Sequence, residues 1–221
     1  MYPLSLDIRD KLCLVVGGGR VAARKARGLL AAGGRVRVVS PALHQAMEAL
    51  LAQEGIEWQR KPFAAGDVEG AFLVFAATDN PEVQAAVLAA ARSNNLLINV
   101  ADNPDDCDFQ VPAVLRRGEL SISIATNGTT PAVAALVRRQ LEAVIGEEYT
   151  LLTALMGAVR GEILQQAFTD AEKKILFQKI LRDDIVLWLR ERRWTKVRQH
   201  LEEVIGRPLG RDLEVLFKEN P

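Results

Sequence analysis

Short apolar runs recur along the first half of the chain, and most are followed by a stretch in which apolar residues return every three or four positions. Lys11 to Val16 (KLCLVV) predicts a strand, and residues 20–32 a helix that stops at Gly33-Gly34. Val36 to Val39 predicts a second strand, Ala42 to Glu54 a helix ended by Gly55, and Ile56 to Arg60 a third, polar-edged strand. Phe72 to Ala76 and Leu96 to Val100 predict two more, with a helix over Pro81 to Arg92 between them. Repeated β-α-β units of this length imply parallel strands with helical crossovers.

Leu120 to Ala125 alternates with period two and predicts a last strand. Beyond it the pattern turns helical. Thr130-Pro131 opens a helix that runs to about Ile145, with the threonine hydroxyl as expected cap and proline at the first helical position. Residues 148–166 continue as helix, Thr169-Asp170-Ala171-Glu172 is a capping box opening another, and 183–191, 194–205 and 212–219 read as short helices. The expected fold is α/β: a Rossmann-type parallel-sheet domain over residues 1–113, a connecting strand and helix over 114–147, and a C-terminal helical domain over 148–221.

Composition narrows the function. The 221 residues carry 28 basic and 28 acidic side chains, so no bulk charge invites nucleic acid. Aromatic residues are only 5%, too few for a base-stacking surface. Two cysteines make no disulfide framework, and Cys13 lies in an apolar run as core. No apolar run reaches membrane-spanning length and the N-terminus lacks a secretory pattern, so the expected location is the cytoplasm. The charge is locally segregated. Residues 20–37 hold six basic side chains and no acid, and residues 99–108 hold four acids and no base.

Gly17-Gly18-Gly19-Arg20-Val21-Ala22 follows the first strand and opens a helix, which is the context that gives G-x-G-x-x-A meaning. Gly17 permits the tight turn, Gly19 lets backbone approach a pyrophosphate, and the small Ala22 lets helix and strand pack closely. The helix start offers free N–H groups to the phosphates. The acidic residue usual about 20 residues on is missing, since the second strand ends in Val39-Ser40-Pro41. The pattern alone therefore leaves NAD and NADP open. Arg35 and Arg37 read as solvated strand charges. At the end of the fourth strand, Thr78 and Asp79 are positioned for ligand contact, although Asp79 or Asn80 can equally cap the helix begun by Pro81.

The fifth strand ends Asn99-Val100-Ala101-Asp102, and Asp105, Asp106, Cys107 and Asp108 follow. Asp102, nearest the strand end, is the candidate general acid or base. The other three acids fit a polar turn. Cys107 among acids is only a weak metal signal without histidine nearby. A second polar loop, Thr126-Asn127-Gly128-Thr129, precedes the Pro131 helix and suits either an anion or simple capping. Arg138 and Arg139 lie two turns on and can reach a polyanion or face solvent. The two histidines, His44 and His200, sit in polar helical contexts and read as surface residues. Zincin, nucleophile-elbow and P-loop motifs are absent.

These motifs together, with Arg24-Lys25, Phe109-x-x-Pro112-Ala113 and Asn127-Gly128-x-x-Pro131, resemble the precorrin-2 dehydrogenase family, the N-terminal module of siroheme synthases, over about residues 1–150. The resemblance implies NAD-dependent oxidation of precorrin-2 to sirohydrochlorin, and a homodimer with residues 114–147 as the dimerisation segment. It implies Asp102 as the essential aspartate, with Gly17, Gly19, Arg20 and Val21 at the phosphates. Ser40, Pro41 and Ala42 would sit at the adenosine side, joined by Thr78 and Asp79. Asn99, Thr126, Asn127, Gly128 and Thr129 would meet the tetrapyrrole. No metal ligand is assigned. The methyltransferase fused to longer members is expected on a separate chain.

Two alternatives accompany this reading. One is a bifunctional enzyme that also inserts ferrous iron, as some members of the family do. The other is an NAD-sensing regulatory module, which would share the glycine loop without needing the Asp102 or Thr126 loops. NADH formation from NAD and precorrin-2 separates enzyme from sensor.

Overall fold

The computed structural model describes residues 1–164, 166, 168–210, 213, 215 and 217. The chain divides into two compact units, Met1–Val111 and Pro112–Pro221.

In the first unit five parallel strands form one sheet in the order β3-β2-β1-β4-β5. These are β1 (Leu12–Val16), β2 (Arg35–Val39), β3 (Ile56–Gln59), β4 (Leu73–Ala76) and β5 (Leu97–Val100). Both faces are covered. Helix α1 (Arg20–Leu30) packs Ala22, Ala23, Ala26 and Leu29 onto Cys13, Val15 and Phe75. Helix α3 (Pro81–Ser93) packs Val87, Ala90 and Ala91 onto Leu14, Val74 and Ile98. Two-sided burial explains why β1 and β4 are near-continuous apolar runs. It also pushes the Cys13 thiol up to about 11, because burial disfavours the thiolate. The chain runs outward from β1 through β2 to β3, then returns to β4 on the other side of β1. That reversal is a topological switch point, where the carboxyl ends of neighbouring strands open a crevice.

The helix expected over Ala42 to Glu54 is only one turn, α2 (Gln45–Glu48). The preceding residues are held by tertiary contacts instead: His44 N–H donates to the Gly18 carbonyl at 2.8 Å, and the Ser40 hydroxyl donates to the Ala42 carbonyl at 2.7 Å. Local propensity yields to those contacts.

The second unit begins with an antiparallel hairpin, β6 (Ala113–Arg117) and β7 (Leu120–Ile124). Only β7 was expected; β6 is an additional strand. Gly118, at φ 55°, takes the first position of the two-residue turn, where a positive φ is required. Helices α4 (Pro131–Val144), α5 (Glu148–Leu164), α6 (Asp170–Ile180), α7 (Asp183–Arg190) and α8 (Trp194–Ile205) follow. The capping box that opens α6 is present: Thr169 Oγ1 accepts from Glu172 N–H, and Glu172 Oε2 accepts from Thr169 N–H at 2.8 Å. The helix expected over 212–219 lies, apart from 213, 215 and 217, outside the described residues. Leu155, Val159, Ile163, Ile180, Ile185, Leu189, Val197 and Leu201 form this unit's core. His200 is buried in it rather than exposed. Its ring packs edge-on to Trp188 and Nε2 lies 3.2 Å from the Ile180 carbonyl. Among the described residues no helix is long and apolar enough to cross a membrane.

Candidate active site

The carboxyl ends of β1, β2, β4 and β5 enclose one cavity of about 650 Å³. Gly17–Val21 lines it after β1, Ser40–His44 after β2, Ala77–Asp79 after β4, and Ala101-Asp102 after β5. Thus Gly17, Gly19, Arg20, Val21, Ser40, Pro41, Ala42, Thr78, Asp79 and Asp102 meet around one space, although they span 86 positions of sequence (17 to 102).

The three glycines differ in why they are glycine. Gly17 is at φ 124°, its N–H donates to the Val39 carbonyl, and a Cβ there would lie 2.1 Å from the Ala77 carbonyl oxygen. A Cβ on Gly18 would lie 2.1 Å from the Ala42 carbonyl oxygen. A Cβ on Gly19 would meet no protein atom within 4 Å. The fold therefore demands the first two, whereas Gly19, the N-cap of α1, leaves open space at the cavity for an occupant. Helix α1 starts at this point with no side-chain cap and no acid in its first turn. Its N–H groups and dipole are left for an anion. The cradle fits the pyrophosphate of a dinucleotide.

Arg20, exposed at the loop, donates from Nε to His44 Nε2 at 3.1 Å. His44 Nδ1 accepts from Ala46 N–H at 3.0 Å and so caps α2. A neutral imidazole has one acceptor nitrogen, so His44 satisfies only one of these donors at a time. At the end of β4 the cap is Asn80, whose Oδ1 accepts from Glu82 and Val83 N–H. Asp79 is left exposed in the cavity wall.

Asp102 is exposed in the same wall at φ 61°, a left-handed conformation that aspartate tolerates better than most residues. Two of the other three acids of its loop are occupied differently. Asp106 pairs with Arg92 and accepts from Asn103 Nδ2 at 2.6 Å, while Asp108 Oδ2 accepts from Ile98 N–H at 2.9 Å. Asn99 does not line the cavity. It is buried, its Oδ1 accepting from Lys25 Nζ at 2.8 Å and its Nδ2 donating to the Phe109 carbonyl at 2.9 Å. Lys25 enters the sequence reading only within the Arg24-Lys25 pair, with no role assigned to it. Burial, then the neighbouring Arg24, lowers its pKa, against the pull of Cys107 and Asp102.

In the second unit Thr126, Asn127, Gly128 and Thr129 form a turn ahead of α4. The expected Thr130 cap is absent. Thr126 Oγ1 instead accepts from Thr130 N–H at 3.3 Å, and Asn127 (φ 50°) and Gly128 (φ 83°) take left-handed conformations. Arg138 pairs with Glu142 on α4, whereas Arg139 is exposed.

Comparison with known proteins agrees with this layout. Residues 4–113 match the family model described as putative NAD(P)-binding, and residues 117–143 match the sirohaem biosynthesis protein central model. The siroheme synthase of Methylobacillus flagellatus is 36% identical over 178 residues, covering 80% of this chain and 38% of that protein. That of Nitrosomonas europaea is 37% identical over 180 residues, covering 81% and 38%. A solved structure of SirC, precorrin-2 dehydrogenase, superposes with TM-score 0.78 at 28% identity, covering 93% of this chain and 100% of that one. The chain belongs to the family of the siroheme synthase N-terminal module. It spans about two fifths of the length of these curated siroheme synthases. The NAD(P)-binding match falls on the unit that carries the glycine cradle and Asp102.

Proposed function

We propose that this chain oxidises precorrin-2 to sirohydrochlorin with NAD as hydride acceptor, acting in the cytoplasm as a homodimer. What supports the reading is that the glycine cradle and Asp102 line one cavity, so a bound dinucleotide and a carboxylate would share the reacting space. The likeness to SirC supports the substrate.

Oxidation removes a hydride and a proton from adjacent atoms of the substrate. When bound, the nicotinamide supplies the hydride acceptor. The N–H groups at the start of α1 hold the pyrophosphate, with Arg20 beside them. The Ser40 oxygen, whose proton is engaged by Ala42, is free to accept from a ribose hydroxyl. The absence of an acid at this strand end is compatible with NAD because the serine oxygen supplies the acceptor. The Asp102 carboxylate takes the proton, exposed and in position to pass it to water. The polar loop Thr126–Thr129 carries hydroxyl, amide and backbone donors of the kind that bind carboxylates. On α4, Val133, Leu136 and Val144 are exposed apolar side chains, which supports residues 114–147 as the dimerisation segment.

Anaerobic incubation of the protein with NAD and precorrin-2 tests the reading: NADH and sirohydrochlorin are expected to appear in equal amounts. NAD binding without NADH formation would make the protein a sensor instead. Sedimentation at several concentrations tests the dimer.

A further inference from the structure

Behind Asp102 lies a chain of side chains with no place in cofactor binding. Lys25 Nζ, on the second turn of α1, donates to Asn99 Oδ1 at 2.8 Å and sits 5.5 Å from the centre of the Phe75 ring. Among the described residues no carboxylate pairs with this half-buried ammonium. Asn99 Nδ2 donates to the Phe109 carbonyl at 2.9 Å and points at Cys107 Sγ, 3.5 Å away. The sulfur accepts from Val100 N–H at 3.2 Å, and its proton faces the carbonyls of Val100 at 3.2 Å and Asn103 at 3.3 Å. Val100 and Asn103 bracket Asp102. A non-glycine residue at positive φ persists only where its surroundings over-determine it, and these contacts, with the Ala101 N–H bond to the Ala76 carbonyl at 2.8 Å, supply that determination.

We infer that Lys25, acting through Asn99 and Cys107, is a positioning residue that holds the Asp102 loop in its left-handed turn at the cavity. The inference rests on the role given to Asp102 above. A half-buried lysine hydrogen-bonded to an amide rather than to a carboxylate is a costly way to support a loop that had no work to do. The thiol suits the position because one sulfur accepts from the Val100 N–H and offers its single proton to either of two carbonyls of the turn.

The full chain, NAD and precorrin-2 are used in the test. Lys25→Met is expected to lower kcat by about tenfold or more, with the NAD dissociation constant, titrated without substrate, changed by less than about twofold. Cys107→Val is expected to do the same, while Cys107→Ser, which keeps an O–H, retains kcat within about threefold. Unchanged kcat in both Lys25→Met and Cys107→Val overturns the inference. So does a parallel loss of NAD binding, the mark of a merely structural role. If Lys25→Met does not fold, the valine and serine variants at Cys107 decide alone. Asp102→Asn, run alongside, separates the two levels. Full turnover there sinks the Asp102 reading itself, whereas an inactive Asp102→Asn beside a fully active Lys25→Met and Cys107→Val sinks only the inference.

Discussion

A side chain on Gly17 would place its Cβ 2.1 Å from the carbonyl oxygen of Ala77, so β1 and β4 meet at the cavity with room for glycine alone. Two positions on, a Cβ on Gly19 meets nothing of the protein. The two alanine variants should therefore fail differently. Gly17→Ala combines a positive φ with a backbone clash and is expected to destabilise the first unit by about 2–4 kcal/mol. Gly19→Ala should leave the unfolding free energy within about 0.5 kcal/mol and weaken NAD binding about tenfold. Thermal melts paired with NAD titration check both; equal stability loss in the two variants would remove the argument that Gly19 serves a ligand.

Asp102→Asn keeps the shape and the tolerance for left-handed backbone but removes the carboxylate proposed as the base. Turnover is expected to fall about 10²- to 10⁴-fold while NAD affinity and melting temperature hold. Single-turnover NADH formation measures the chemical step directly. Normal rates would reassign the proton to another group.

How far the sequence disclosed this site depends on what each residue does. The apolar runs of β1 and β4 are unambiguous because both faces of the sheet are buried, and the glycine loop is read from its place between strand and helix. Asp102 was legible because a strand end leads into the crevice. The segment Ala42 to Glu54 was not, because its first residues wall the cavity through Gly18 and Ser40, contacts distant in sequence. Strand β6 hides behind Pro112 because Ala113-Val114-Leu115-Arg116-Arg117 does not alternate, although Gly118 ahead of the alternating β7 is a turn signal. Lys25 reads in the sequence as half of the Arg24-Lys25 pair, and nothing short of the fold brings it to Asn99, 74 positions away.

Asn80 rather than Asp79 caps α3, accepting from Glu82 N–H at 2.9 Å and Val83 N–H at 3.2 Å. Asn80→Ala should therefore cost about 1 kcal/mol, and Asp79→Ala almost none. Urea unfolding of the two variants decides. The reverse order would mean that Asp79 is a structural cap and not free for the cavity.

In the second unit, Glu148 at the start of α5 is buried and bonded to Arg190 of α7 at 2.7 Å. Burial opposes ionisation of its carboxyl, but the Arg190 guanidinium and the Gly146 N–H outweigh it, so its pKa lies below the usual value. A carboxyl with a lowered folded pKa stabilises above its unfolded pKa of about 4.3, and that stability is lost as pH falls through the folded value. Arg190→Met should then destabilise this unit at neutral pH, by less than loss of a fully buried pair would, because Arg190 is exposed. The difference between wild type and variant should shrink on acidification below about pH 4. Unfolding free energies of both proteins from neutral to acid pH measure this. A pH-independent difference would mean that Arg190 acts through packing of its aliphatic stem rather than through its charge.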